Sequence, residues 1–389
     1  MSDKQYFAAI DLGATSGRIM LDKGDGVLQE IHRFPTPMIR NEQGIFWGFE
    51  ELFAGITAGL KKLVPVAARI ASLSCDSWAQ DVGLLDENGK LLCHPFSYRD
   101  GKCKVSTCAR MQYVEEFFPE LFKRTCTILH IADLVHYMLC GAARSNYTMA
   151  AISGLPLDYK LFAPAADCEI IGTVNHPDLP ELHGIPVISG AGHDTAAAFV
   201  CGNPQPGEIM SSIGTWQMTA EIIDEQSGIP DDFRKLPLPH RACARTKGGM
   251  GLWPFQQCVK LWQERGDFPG YAVLDDAAQK SGMTDALDPD TPELFSPENM
   301  EEAIFSVVGK RLTPPEITAL LLRGTARRIA DTVKAFDKEF SKLIAVGGGV
   351  NGSYFCSLLA AELPCPLVVG NTEASAAGNT AIQKQVINS

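Results

Sequence analysis

The sequence predicts an α/β protein built from two related halves, and three observations carry that expectation. Its 389 residues exceed one average domain, at roughly 150 residues each. Short apolar runs alternate with amphipathic stretches along the chain, the pattern of sheets covered by helices. A unit of strand, small-residue loop and strand opens the chain at Phe7-Ala-Ala-Ile-Asp-Leu-Gly-Ala-Thr-Ser-Gly-Arg-Ile-Met20 and is echoed at Glu208–Ile223. Between the halves, Gly202-Asn-Pro-Gln-Pro-Gly207 reads as a linker.

Tyr6–Ile10 is a strand, Asp11–Arg18 a small-residue loop, and Ile19–Asp22 and Val27–Phe34 two further strands, together an antiparallel meander. In a dinucleotide fold or a Walker loop the glycines would open a helix, and neither G-x-G-x-x-G nor G-K-[ST] occurs. Glu50–Val64 has helical spacing and stops before Pro65. Ile70–Cys75 and Val82–Leu85 are strands around the loop Asp76–Asp81. The chain is helix-rich over 100–140 and loop-rich over 141–183. The strand Ile185–Ser189 then leads through Gly190–Thr195 into a small-residue helix, Ala196–Val200. In the second half, Glu208–Ile213 and Gln217–Ile223 flank Gly214-Thr-Trp216. Lys310–Phe340 is a long amphipathic helix entered at Thr313-Pro-Pro-Glu316, and the strand Lys342–Val346 feeds Gly347–Gly352 and a helix, Ser353–Leu363.

Composition narrows the functional classes. Thirty-four Lys and Arg against 46 Asp and Glu give a net charge of −12, which repels nucleic-acid backbones and anionic membranes. The N-terminal Met-Ser-Asp-Lys-Gln-Tyr-Phe has no apolar core of a secretory signal, and no apolar run is long enough to span a bilayer. Twelve scattered cysteines, without C-x-x-C or neighbouring His ligands, read as reduced cytosolic thiols.

Several loops can carry chemistry. The hairpin tips at Gly13–Arg18 and Gly214-Thr215 offer backbone N–H groups and hydroxyls to a phosphate chain, although such tips also serve as plain turns. Asp11 could hold a hydrated Mg²⁺. Gly347–Gly349 lets a flat ligand approach, or makes a tight α/β connection. Asp194 lies after a strand's C-terminal end, where α/β proteins place ligands. It could orient a hydroxyl and accept its proton, or cap the following helix. Asp76-Ser-Trp-Ala-Gln-Asp81 combines carboxylates and an indole as sugar sites do, although a turn over a partly buried Trp explains it equally well.

Taken in order, eight blocks resemble those of the FGGY carbohydrate kinases. They are Asp11-Leu-Gly-Ala-Thr-Ser-Gly-Arg18, Cys75-Asp-Ser-Trp-Ala-Gln-Asp81, Tyr98-Arg-Asp100, Gly192-His-Asp-Thr-Ala196, Ser212-Ile-Gly-Thr-Trp216, Met250-Gly-Leu-Trp253, Val346-Gly-Gly-Gly349 and Glu373-Ala-Ser-Ala-Ala-Gly-Asn379. The likeness covers nearly the whole chain and is greatest to the rhamnulokinase branch. It implies an actin-like, sugar-kinase (ribonuclease H-like) fold with a central cleft, residues 1–201 being a sugar-binding lobe and 202–389 a nucleotide-binding lobe. It further implies a cytoplasmic enzyme that phosphorylates a small sugar, a ketose such as L-rhamnulose, with ATP and Mg²⁺. On that resemblance Asp194 is the general base and Asp11 helps hold the metal. Gly13, Ala14, Thr15, Ser16, Gly17, Arg18, Gly214 and Thr215 surround the β- and γ-phosphates, and Gly347, Gly348 and Gly349 adjoin the adenosine. Asp76, Trp78, Ala79, Asp81, His193 and Thr195 face the sugar.

The chain departs from that branch where the substrate is chosen. Its stretch between Arg99 and His130 is shorter, and Ala79 stands for a Gly, Ser296 for a sugar-contacting Asn, and Phe305 for a Gln that meets the nucleotide. Two other classes stay open: a non-catalytic relative that binds sugar or nucleotide as a sensor or partner protein, and a glycosidase using Asp76 and Asp81.

Overall fold

The apolar run Tyr6–Leu12 carries too little polar surface for an outer strand, and in the computed structural model it is a central strand, β1, buried along its whole length. The structure describes residues 5–224 and 227–389. The reading of the N-terminal heptapeptide rests partly on residues 1–4, outside that range. The chain divides into two units, one formed by the chain up to Cys201 with Leu236–Cys243 and Ser375–Ser389, the other by Gly202–Lys235 and Ala244–Ala374.

In the first unit β1 continues through a hairpin into β2 (Ser16–Asp22) and β3 (Leu28–Pro35), the expected antiparallel meander. β4 (Ile70–Ser77), β5 (Glu169–Thr173) and β6 (Pro186–Ser189) complete a sheet of order β5-β6-β4-β1-β2-β3. β4 runs parallel to β1 and β6 parallel to β4. The register sets Asp11 opposite both Arg18 and Asp76, so two carboxylates share one end of the sheet. Apolar residues three and four apart in the helix Phe49–Lys61, namely Phe49, Leu52, Phe53, Ile56 and Leu60, enter a core that also takes Leu134 and Val135. This helix ends earlier than its periodicity predicts, because the turn before Pro65 tightens: Leu63 N–H donates to Leu60 O.

A second helix, Ala374–Asn388, also belongs to the first unit, with Ala376 packed on Ala9 and Met20. The expected lobe 202–389 therefore differs from the observed unit at its C-terminal end, and the cause is polar. Gln383 Nε2 donates to the Ala8 carbonyl (2.9 Å), Ser72 Oγ donates to Gln383 Oε1 (2.8 Å), and Lys384 pairs with buried Asp22 (2.6 Å). An added Cβ on Gly378 would lie 1.8 Å from the Ala197 carbonyl, so glycine sets how closely this helix approaches Asp194–Gly202.

The second unit repeats the plan. β7 (Ile209–Ile213) pairs antiparallel with β8 (Trp216–Ile223) and parallel with β11 (Leu343–Val346), which pairs parallel with β12 (Leu367–Val369). With β9 (Arg234–Pro237) and β10 (Cys243–Met250) the order is β9-β10-β8-β7-β11-β12. Read outward from the first hairpin, β3-β2-β1-β4-β6 and β10-β8-β7-β11-β12 are the same arrangement. The long helix runs Pro314–Lys334, shorter at both ends than 310–340, since a Thr313/Glu316 capping box with Pro at the first position starts it sharply. Among the described residues no helix is long and apolar enough to cross a membrane.

Candidate active site

Three carboxylates gather where β1, β4 and the chain after β6 end on one side of the first sheet. Asp11 is buried and ion-paired with Arg18. Asp76 is wholly buried; its Oδ2 accepts from Asn379 Nδ2 (2.6 Å), and its Oδ1 has no hydrogen-bond partner. Burial, then the charge of Asp11, pushes the Asp76 carboxyl well above the usual carboxylate range, against the pull of Asn379.

Asp194 is the open member, its side chain 33% exposed. Ala197 N–H donates to His193 O, so His193 rather than Asp194 occupies the cap position, and the helix start engages only Oδ1 of the Asp194 carboxylate, through Thr195. Asp194 Oδ1 accepts from Thr195 N (2.5 Å) and Thr195 Oγ1 (3.1 Å) and lies 3.4 Å from His193 Nε2. Desolvation raises the Asp194 pKa; His193 lowers it and Asp11 raises it. Burial lowers that of His193, which favours a neutral ring.

The loop after β4 forms a wall. Asp81 Oδ2 accepts from Trp47 Nε1 (2.6 Å), Trp78 Nε1 (3.0 Å) and Tyr98 N (3.2 Å). Trp78 is buried against Trp47, ring centroids 4.4 Å apart, and Ala79 is buried beside it. Neither Trp78 nor Asp81 presents the open face expected of a sugar contact; their polar atoms hold the loop. Gln80 between them takes φ +81°, a left-handed conformation uncommon for a residue with a side chain, and its carbonyl accepts from Thr107 Oγ1 (2.9 Å).

The first hairpin tip divides by role. Thr36 ties down the Gly13 and Thr15 carbonyls, while the Ala14 and Thr15 N–H groups have no hydrogen-bond acceptor among the described residues. Gly17 does not belong to the tip: an added Cβ would lie 2.3 Å from the Phe34 ring, so its glycine serves packing. In the second unit Gly214 and Thr215 carbonyls accept from Leu252 N and Gly251 N, and Thr215 Oγ1 donates to Gln256 Oε1 (2.9 Å). Of the three following β11, Gly347 has φ +91° and an added Cβ 2.8 Å from the Ile213 carbonyl, and at Gly349 an added Cβ would meet the Ile213 side chain at 2.6 Å. Both are imposed by close approach of the two strands' ends. Only Gly348 is exposed, with nothing within 4 Å of an added Cβ.

Residues 209–384 match the C-terminal domain of the FGGY family of carbohydrate kinases. The rhamnulokinase of Oceanobacillus iheyensis is 25% identical, over 99% of this chain and 94% of its own length. That of Enterobacter sp. (strain 638) is 27% identical, over 99% and 90%. Residues 209–384 are an FGGY carbohydrate-kinase C-terminal domain, and nearly the whole chain is similar to rhamnulokinases. Its fold is the actin-like one of the solved sugar kinases. A ligand-bound xylulose kinase from Lactobacillus acidophilus superposes with a TM-score of 0.75 at 15% identity, over 98% of this chain and 89% of that one. Plasmodium falciparum glycerol kinase with ADP gives 0.74 at 13%, over 97% and 88%. The Oceanobacillus alignment runs over 455 positions, more than the 389 residues present, so that relative has internal segments this chain lacks.

Among the described residues no cluster of three or more His, Cys, Asp or Glu forms a metal cage. The orphaned Asp76 Oδ1 beside Asp11 nevertheless fits Mg²⁺, a hard cation that takes few protein oxygens and completes its shell with water and phosphate. Sequence reasoning missed the residues that hold the site: Asn379, Trp47, Asn146 and Thr148. It also missed a cavity of about 410 Å³ in the second unit, lined by Trp216, Met250, Pro289, Asp290, Pro292 and Phe295 among others. Asn379 lay within a quoted motif, but nothing local tied it to Asp76.

Proposed function

We propose that this chain transfers the γ-phosphoryl group of ATP to a hydroxyl of a small ketose or related polyol, L-rhamnulose being the representative, with Asp194 as general base. The supporting observation is a carboxylate at the end of the parallel strands of a mixed sheet, partly open, with a pKa raised by burial and Oδ1 fixed by Thr195. Such a group is a stronger base than a free aspartate, and its orientation is fixed in advance by Thr195. The names of the curated relatives support the sugar class.

The sugar hydroxyl gives its proton to Asp194 Oδ2, the oxygen Thr195 leaves free. As the new O–P bond forms, the bond from Pγ to the bridging oxygen breaks and ADP departs. His193 and Thr195 border the sugar, and Asp76, Trp78, Ala79 and Asp81 shape the wall behind it. In the first unit the backbone donors at Ala14 and Thr15 serve phosphate oxygens; in the second, Gly214 and Thr215 form a hairpin tip of the same kind and Gly348 gives the adenosine room. Bound Mg²⁺, held through Asp11 with Asp76, supplies charge neutralisation on those oxygens.

A coupled ADP-release assay over L-rhamnulose, L-fuculose, D-xylulose, D-ribulose, gluconate and glycerol tests the reading. Asp194→Asn is expected to lower kcat by about 10²–10⁴, the usual contribution of a general base. A loss under tenfold removes Asp194 from that role. ATP binding by calorimetry with no sugar phosphate by mass spectrometry would instead favour a non-catalytic relative.

A further inference from the structure

Asn146 lies wholly buried at the start of the helix Tyr147–Ile152, 46 residues before Gly192, and its side chain stitches together the segment that delivers Asp194. Its Nδ2 donates to Ser189 Oγ (2.9 Å) and to the Gly190 carbonyl (2.6 Å). Its Oδ1 accepts from Thr148 N (2.9 Å), Thr148 Oγ1 (2.7 Å) and Gly192 N (3.2 Å). Backbone N–H donors face one amide atom and a carbonyl the other, so the network leaves only one orientation for the amide. The Thr148 hydroxyl, having donated to Asn146, accepts from His193 N (3.2 Å). An added Cβ on Gly192 would lie 3.0 Å from Asn146 Cγ, which explains the glycine two residues before Asp194.

The strand end and the loop after it are thus held at Ser189, Gly190, Gly192 and His193 by one side-chain amide and one side-chain hydroxyl, beside the backbone bond from Ser77 N–H to the Gly192 carbonyl (2.9 Å). Among the described residues, no hydrogen bond from Asn146 or Thr148 reaches the Asp194 carboxylate itself. We propose that Asn146, acting through Thr148, is a positioning residue for the phosphoryl-transfer base, fixing the backbone from which Asp194 projects. This rests on Asp194 being the base. A displacement of about 1 Å at a reacting group can cost about 10²-fold in rate.

Because an Asn146→Ala chain could fail to fold, Thr148→Val is the working variant. It keeps the shape and removes the hydroxyl that links Asn146 to His193. The charged and titratable groups around Asp194 are His193 on its own loop, Asp11 with Arg18 from β1 and β2, and Asp76 from β4. None of them is changed. With melting temperature monitored, Thr148→Val is expected to lower kcat/KM for the sugar about tenfold or more. The acid limb of its pH profile should move to lower pH as Asp194 becomes better hydrated, and Thr148→Ser should restore both. A folded Thr148→Val enzyme within threefold of wild type, or a rate loss with an unmoved acid limb, overturns the proposal. Asp194→Asn, run alongside, separates this from failure of the base reading: a loss under tenfold there removes the base itself, and with it the role given to Asn146.

Discussion

Replacing Gly378 by Ala should strike the first unit where two helices nearly touch. The new Cβ would lie 1.8 Å from the Ala197 carbonyl, and real Cβ atoms essentially never come closer than 3.0 Å, so the contact must open by about 1.2 Å. The helix cannot simply slide, since Gln383 one turn on is bonded to Ala8 and Ser72. A shift of that size would carry the 2.6 Å bond from Asn379 to Asp76 out of range, leaving a buried carboxyl without its donor. Overpacking of about 1–3 kcal/mol and a strained buried hydrogen bond of about 1–3 kcal/mol oppose a gain in helix propensity of about 1 kcal/mol. The expected net loss is about 1–5 kcal/mol, or a melting temperature lower by roughly 2–20 °C for a unit of this size. Differential scanning calorimetry of the full chain measures it, with Gly348→Ala as the control because an alanine there meets nothing within 4 Å. A Gly378→Ala chain melting within about 1 °C of wild type would refute the packing argument.

Two further outcomes follow from the same geometry. Gly17→Ala should destabilise by about 1–3 kcal/mol through the Phe34 ring yet leave the KM for ATP within about threefold, and adding Phe34→Leu should recover much of the loss; a large KM rise without destabilisation would return Gly17 to the phosphate loop. Asp81, raised to about 6 by burial, is neutral more readily when folded than unfolded. The stability it lends is therefore fully present below about pH 4 and lost as pH rises through about 6. Asp81→Asn keeps an acceptor for the two indoles and does not ionise, so its stability relative to wild type should rise by roughly 2–4 kcal/mol between pH 4 and 7. Urea midpoints for both proteins across that range measure the gap, and a constant gap would reject the assignment.

The hairpins β1–β2 and β7–β8 were legible because apolar runs and Gly-rich tips are local signals, and Asp194 was legible because its strand and loop adjoin in sequence. Helix ends were less so: Pro65 marked a stop, but the tightened turn before it took three residues from the expected span. The glycines show the limit most clearly. Gly17, Gly348 and Gly349 look alike in sequence, and only Phe34 or Ile213 in place tells a packing glycine from an open one. The supports of the site were beyond local reading for the same reason. Asn379 meets Asp76 across 303 residues and Trp47 meets Asp81 across 34, pairings that no periodicity encodes.

The helix Ala374–Asn388 also sets an order of assembly. The second unit lies in two stretches within the sequence of the first, and all of its residues leave the ribosome before Ser375 does. The first unit, begun at the N-terminus, is therefore the last to close. Until that helix emerges, Gln383 is missing from the Ala8 carbonyl and Ser72, Asn379 from Asp76, Lys384 from Asp22, and Ala376 from its place against Ala9 and Met20. Domains made of continuous sequence fold in the order they are synthesised; here that order is reversed, and the half-finished sheet must be kept from other chains while its neighbour is already complete.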